Sequence, residues 1–166
     1  PGDNLMLHKA IDMAEPGDII VCDAGGDLTN SLMGELMLAH AMKRDVGGFV
    51  LDGAVRDVEA FSDVNLPVFA AGVSHRGPYK DGPGEINVSV AIDGMVIEPG
   101  DLVIGDWDGV LSIPLEDVES ILKKTSEKQA AEAVDMEKIE AGEWDRSWVD
   151  KTLKNRGCIT VSYTHL

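Results

Sequence analysis

The chain has 166 residues, 44% of them hydrophobic, with a formal net charge of −16 and only two cysteines. That length suits one domain burying roughly 70% of its unfolded surface, while so acidic a surface repels nucleic-acid phosphates and anionic lipid, and no basic patch offsets it. No apolar run approaches the roughly 20 residues of a spanning helix, and Cys22 and Cys158 are too distant in sequence to suggest a disulfide framework, so reduced thiols in a cytoplasmic protein are expected.

The opening "PGDNLMLHKAIDM" reads as an internal helix. It has no basic segment leading into an uninterrupted apolar one, so no signal peptide is expected. With no initiating methionine, it is expected to be an N-terminally truncated domain spanning 1–160. The final "VSYTHL" (Val161–Leu166) follows no pattern set by the helix before it and is expected to be a foreign tail. Next, "EPGDIIVCDAGG" (Glu15–Gly26) is a turn, a β-branched run over 18–23 and a glycine pair, predicting a buried strand that feeds a tight loop. "NSLMGELMLAHAMKRD" places apolar residues at Leu32, Leu36, Ala39 and Met42, which suits a helix ending in Lys43-Arg44.

"VGGFVLDG" then predicts a strand, "RDVEAFSD" a short helix and "LPVFAAGV" a third strand. Strands alternating with helices in this order imply parallel pairing through right-handed crossovers. From Glu85 to Pro114 the pattern changes to short alternating runs punctuated by "DG", "EPGD" and "DWDG", which are hairpin and turn signals. From Leu115 the period is helical again, giving one long helix or two up to Gly142, then a terminal helix in "SWVDKTLKNRG" closed by Gly157. The fold class predicted is α/β: an α/β/β sandwich with a partly parallel βαβ half, an antiparallel meander and C-terminal helices.

Chemistry is constrained by what is missing. His8, His40, His75 and His165 fall in separate segments without H-x-x-x-H spacing, and the cysteines are distant, so a zinc site of nitrogen and sulfur ligands is not expected. A catalytic metal would take oxygen ligands, which points to Mg²⁺ or Mn²⁺; magnesium keeps most of its waters, so one carboxylate suffices. The loop "DAGGDLTNSLMGEL" is neither a P-loop nor a good dinucleotide fingerprint. Gly34 at a helix start either exposes N–H groups to a small anion or merely permits close packing. Arg56-Asp57 is either an ordinary ion pair at a helix start or part of a site. If the strands over 18–23 and 48–52 are parallel neighbours, their C-terminal loops open at one sheet edge, where ligands of open α/β sheets bind. Glu35, Arg56 and Asp57 then face one cleft, and a guanidinium, a carboxylate and helix-start amides suit an α-keto acid. Trp107, Trp144 and Trp148 read as core or interface anchors, His75-Arg76 as a surface loop, and Asp106 and Asp108 as turn residues.

Taken together, Glu35, twenty intervening residues and then Arg56-Asp57 resemble the signature of the 4-hydroxy-4-methyl-2-oxoglutarate aldolase family, which shares its fold with the regulator of ribonuclease E activity (RraA-like). "GGFVLDGAVRD", "LPVFAAG", the run from Gly82 to Pro114 and "AGEW" add to the resemblance, which extends from Glu15 to Gly157. It implies a divalent-metal-dependent, class II type aldolase that forms or cleaves a C–C bond beside a pyruvate unit, with oxaloacetate decarboxylation as a further activity. By position it implies that Asp57 binds the metal, that Arg56 holds the pyruvate oxygens and stabilises the enolate, and that Glu35 works through a water as acid/base. Main-chain N–H groups around Gly34, Leu36 and Met37 would take the substrate carboxylate. The resemblance also implies a homotrimer or hexamer, with a neighbouring subunit's glutamate completing the site, Glu132 or alternatively Glu137. The family pattern departs at Ala60, where an acidic residue is common. The rival is a non-catalytic trimer that regulates an RNA-degrading enzyme through protein contacts; an inactive structural trimer is the third reading.

Overall fold

The computed structural model describes residues 2–159. It has the expected α/β architecture: α1 (Leu5–Met13), β1 (Ile19–Met33), α2 (Glu35–Lys43), β2 (Gly48–Val55), α3 (Val58–Ser62) and β3 (Val68–Val73), then four short strands and two helices. β1, β2 and β3 form one parallel sheet in that order. The central strand, β2, is almost continuously apolar, as a parallel strand covered on both faces must be. Phe49, Leu51 and Ala54 are each at most 2% exposed. Leu7 and Ile11 of α1 and Met37, Leu38 and Ala41 of α2 pack with Phe49 and Leu51 in a single core. Each of the leucine, isoleucine, methionine and phenylalanine side chains contributes roughly 1.5–3 kcal/mol by leaving water. Arg44, the C-cap of α2, donates from Nη2 to the carbonyls of Asp12 and Ala14 at 2.8 and 3.1 Å, tying the end of α2 to the end of α1.

β1 is longer than the sequence predicts. The expected loop after residue 23 is part of the strand, with register shifts against β2 between Asp23 and Asp27, Asp27 and Ser31, and Ser31 and Met33. Gly25 and Gly26, both at φ +67°, supply the left-handed backbone that such bulges require. Leu32, predicted to be helical, lies in β1 and is 1% exposed. The backbone around it is held extended from outside: the Ser31 N–H donates to Arg76 O, and Asn4 Nδ2 donates to Leu32 O, each at 2.8 Å. The helix therefore starts only after Gly34.

The antiparallel part consists of two hairpin ladders, β4 (Val90–Ile92) with β5 (Met95–Ile97) and β6 (Leu102–Asp106) with β7 (Gly109–Ile113). Asp93-Gly94 turns the first at φ +48° and +83°, the conformation that a type I′ turn needs and that "DG" favours. The chain divides into two compact units after Val118. In the second, α4 (Val118–Ala141) is one helix of 24 residues ending at Gly142, and α5 (Ser147–Asn155) closes at Gly157, with the Cys158 N–H donating back to Leu153 O at 3.0 Å. Trp144 and Trp148 flank Arg146, whose guanidinium lies 4.7 and 6.0 Å from their ring centres. Val161–Leu166, the expected foreign tail, and His165 lie outside the described residues. Among the described residues no helix is long and apolar enough to cross a membrane.

Candidate active site

Parallel pairing brings the ends of β1 and β2 side by side, with Met33 opposite Val55. The chain leaves them as Gly34, which starts α2, and as Arg56-Asp57, which precedes α3. The Arg56 N–H still donates to Met33 O at 2.9 Å, so this pair begins where the ladder ends. Asp57 occupies the N-cap of α3 in the left-handed region, φ +58° and ψ +42°, and makes no side-chain capping bond. Its Oδ2 instead accepts the Glu35 N–H at 3.0 Å. Arg56 Nε lies 3.7 Å from the same oxygen. The ion pair exists, but it is long and partly exposed, and pairs of this kind contribute about 0–1 kcal/mol.

The Arg-Asp pair lies directly over Gly34. A Cβ at position 34 would stand 2.5 Å from Asp57 Oδ2 and 3.0 Å from Arg56 Cγ and Nε. The close-packing reading of Gly34 holds, and what packs closely is the Arg-Asp pair itself. Across the loop after β3, a Cβ on Gly77 would be 3.4 Å from an Arg56 Nη, so the guanidinium also runs beside that loop.

A cavity of about 170 Å³ opens here, lined by Gly34, Leu36, Met37, Arg56 and Asp57 together with Asn4, His8 and Lys80. The Leu36 N–H has no protein acceptor among the described residues, whereas the Met37 N–H donates to Gly34 O at 3.1 Å. Glu35 differs from its neighbours: its N–H serves Asp57, but its side chain is exposed and is not part of the cavity lining. Ala60 is partly buried against the core. Glu132 and Glu137 lie on α4, where Glu132 pairs with Lys128 at 2.5 Å within the same helix. Exposed His75 and Arg76 belong to the loop after β3, where Arg76 O accepts from Ser31. A larger cavity, about 300 Å³, lies at the opposite ends of the strands among Ile19, Phe49, Pro67, Phe69 and Val103, and no titratable side chain lines it.

Three of the lining residues carry no signal in the sequence. Asn4 reads as an ordinary N-cap for α1, yet it makes no capping bond. Its side chain turns inward, 2% exposed, with Nδ2 on Leu32 O and 3.2 Å from Met37 Sδ, and Oδ1 buried without a partner. A buried orphan acceptor is rare, and here it belongs to a residue that lines the cavity. His8 stands one turn further on, its N–H donating to Asn4 O at 3.0 Å. Burial, and next the positive charge of Lys80, hold its imidazole pKa below the ordinary value against the opposing charge of Asp12. Elsewhere in the sheet, burial and the carboxylates of Asp23 and Asp52 push the Cys22 thiol up to about 11, so it is no thiolate nucleophile.

The family model described as RraA-like, Aldolase/RraA, matches residues 1–112. A putative 4-hydroxy-4-methyl-2-oxoglutarate aldolase of Halalkalibacterium halodurans is 45% identical over 129 residues, 78% of this chain and 61% of that protein. The chain thus spans less than two thirds of this relative's length. The 4-hydroxy-4-methyl-2-oxoglutarate aldolase of Thermus thermophilus is 30% identical over 112 residues, 68% of each chain. Among solved structures, the RNA-processing inhibitor RraA from Thermus thermophilus superposes with a TM-score of 0.66 at 30% identity, covering 68% of this chain and 69% of that one.

Proposed function

The chain belongs to the RraA-like (Aldolase/RraA) family, and from that premise we propose that it is a divalent-metal-dependent aldolase. In this reading it cleaves 4-hydroxy-2-oxo acids such as 4-hydroxy-4-methyl-2-oxoglutarate to pyruvate and a second keto acid, and it also decarboxylates oxaloacetate. The observation that carries the reading is the convergence of Gly34, Leu36, Arg56 and Asp57 on one cavity at the C-terminal edge of the parallel sheet.

The donor set fits a hydrated hard cation. Among the described residues no group of three or more His, Cys, Asp or Glu converges, which disfavours a fully protein-ligated metal. Asp57, with Oδ2 engaged by Glu35 N–H and its side chain 45% exposed, keeps its other oxygen for Mg²⁺ or Mn²⁺ that retains its waters. Such an ion, when bound, supplies positive charge for the oxygen that becomes an enolate. Arg56 holds the keto acid by its planar fork and offsets the same developing charge. The Leu36 N–H and the start of α2 receive the carboxylate. Lys80, which lines the cavity, adds the local positive charge that an anion needs on so acidic a protein. Glu35, at the start of α2 beside Asp57, works through a water as acid/base. The assembly in this reading is a homotrimer or hexamer, with Glu132 or Glu137 of a neighbouring copy completing the site.

A second reading, a non-catalytic regulator that acts through protein contacts, is favoured by the similarity to the RNA-processing inhibitor. Pyruvate release from oxaloacetate and from 4-hydroxy-4-methyl-2-oxoglutarate, measured with Mg²⁺ and with chelator, separates the two. Metal-dependent turnover that collapses in Arg56→Ala and Asp57→Ala is expected. A folded parent protein that turns over neither substrate would sink the aldolase reading and leave the regulator.

A further inference from the structure

A helix as short as α5 does not hold itself in water and is stabilised by whatever covers its apolar face. No residue of α5 is buried. Trp148, Val149, Thr152, Leu153 and Arg156 follow the spacing of one helical face. Trp148 is 57% exposed, and with Trp144 it flanks the Arg146 guanidinium. Tryptophan and arginine held together before contact are the side chains that dominate protein interfaces. Among the described residues neither Arg146 nor Arg156 forms an ion pair.

The β6–β7 hairpin has the matching defect. An antiparallel pair with one face on the core ordinarily turns polar residues outward. One face of this pair packs toward β3: a Cβ at Gly105 would stand 2.6 Å from the Phe69 ring, and Val103 and Val110 line the same apolar cavity. On the other face the register opposes Ile104 to Leu111, with Leu102 two residues earlier. Leu102, Ile104 and Leu111 are 40, 47 and 47% exposed, and Trp107 in the turn is fully exposed.

Charge identifies what covers each face. From Asp81 to Asp117 the chain holds carboxylates and no lysine or arginine, with Asp106 and Asp108 at the hairpin turn. Around α5 the balance is reversed: Arg146, Lys151, Lys154 and Arg156 outnumber Asp145 and Asp150 in a chain of net −16. An anionic membrane would attract α5 but repel the rest of so acidic a molecule. A second copy of the chain offers apolar surface and negative charge on one element. We infer that α5 docks on the β6–β7 hairpin of a second copy. Trp148 and Leu153 lie against its Leu102, Ile104 and Leu111, while Arg146 and Arg156 face its Asp106 and Asp108. Each copy carries both halves, so the contact is head-to-tail, as a ring requires. These surfaces belong to the assembly proposed above, and they hold whether or not the chain cleaves keto acids.

The test is sedimentation of the full chain at about 10–100 μM, a range that detects even a weak specific contact. The parent is expected to exceed the 17.8 kDa of one chain. Arg146→Glu/Arg156→Glu and, separately, Asp106→Lys/Asp108→Lys are each expected to weaken association at least about tenfold. An equimolar mixture of the two variants restores it, because reversed helix meets reversed hairpin and native helix meets native hairpin. Docking within one chain gives no such restoration, so a mixture no better associated than its components overturns the inference. Parent-like association in either charge variant overturns it too. So does a monomeric parent, and if that monomer binds vesicles containing phosphatidylserine, α5 belongs to a membrane instead. Should a charge variant lose helix by circular dichroism, Trp148→Ala and Ile104→Ala decide in its place, since both leave every charge intact. Association within about twofold of the parent in both of these overturns the inference. Pyruvate release is not read in any arm, so failure here is distinct from failure of the aldolase reading.

Discussion

Two helix starts stand side by side at the edge of the parallel sheet, and they are built in opposite ways. α2 starts at Gly34, which has extended backbone, φ −147°, and no side chain. α3 starts at Asp57, which has a side chain well suited to capping and a left-handed backbone that costs a non-glycine residue about 1 kcal/mol or more. Neither start is capped by its own side chain. The carboxylate of Asp57 reaches across to the Glu35 N–H, so it serves α2 rather than the helix it begins, and Gly34 is bare because that carboxylate and Arg56 occupy the space where a Cβ would be. A carboxylate placed for stability alone would cap its own helix. The proposed metal role of Asp57 rests on one held in left-handed backbone over a glycine, beside a cavity.

Asp57→Asn tests that contrast most severely. Asparagine tolerates the left-handed conformation and still offers an oxygen to the Glu35 N–H, so the start of α2 is preserved. Only the charge is lost. Metal-dependent pyruvate release is expected to fall at least about 100-fold, with a thermal midpoint close to the parent's. Retained turnover would mean that this carboxylate is nothing more than a remote cap.

Gly34→Ala approaches the same contrast from the other side. Alanine is comfortable at φ −147°, so the backbone is not strained, but its Cβ meets Asp57 Oδ2 at 2.5 Å. The Arg-Asp pair must shift, and misplacing catalytic groups by about an ångström costs up to roughly 100-fold in rate. A turnover loss of about 10- to 100-fold with only a small change in midpoint is expected. A large stability loss at unchanged turnover would show that Gly34 serves packing alone.

How much of this was legible beforehand follows from the same residues. The parallel order of β1, β2 and β3, the hairpins at Asp93-Gly94 and Asp106–Gly109, and the helix ends at Gly142 and Gly157 rest on local chemistry, which a sequence displays directly. β1 continues beyond residue 23 because Arg76 and Asn4, distant in the chain, hold residues 31–32 extended, and no local period carries that information. The site divides likewise. Arg56, Asp57 and Gly34 were readable because strand ends and turn residues announce a sheet edge. Asn4, His8 and Lys80 reach the cavity by tertiary packing, and each looks unremarkable in its local sequence.

Asn4→Ala probes that hidden wall. It removes the donor to Leu32 O and to Met37 Sδ and leaves a buried carbonyl without its partner, at a cost of about 1–3 kcal/mol. A lower thermal midpoint is therefore expected, with KM for a hydroxylated substrate and for oxaloacetate close to the parent's. An unchanged midpoint would mean that the Leu32 carbonyl finds another donor.

The smallest effect expected is the pH dependence of stability at His8. Its folded pKa lies below the ordinary value, first through burial and then through Lys80, so the unfolded chain takes up the proton at a higher pH than the folded one. The stabilising contribution is therefore fully present above the unfolded value, about 6.5, and is lost as pH falls through that value toward the folded one. Glutamine at position 8 does not titrate, so the midpoint of the parent should drop relative to His8→Gln as pH falls across about 6.5 to 5. The difference is the right quantity to read, because loss of negative charge from a chain of net −16 is common to both proteins and cancels. Asp12 does not confuse the window: its carboxyl is held below the ordinary value by the hydrogen bond to His40, so its own loss comes at lower pH. A midpoint difference that stays constant from neutrality to about pH 5 would mean that His8 titrates as it does in the unfolded chain. Burial and Lys80 would then not lower its pKa, and the ring would titrate like one on an ordinary exposed helix face.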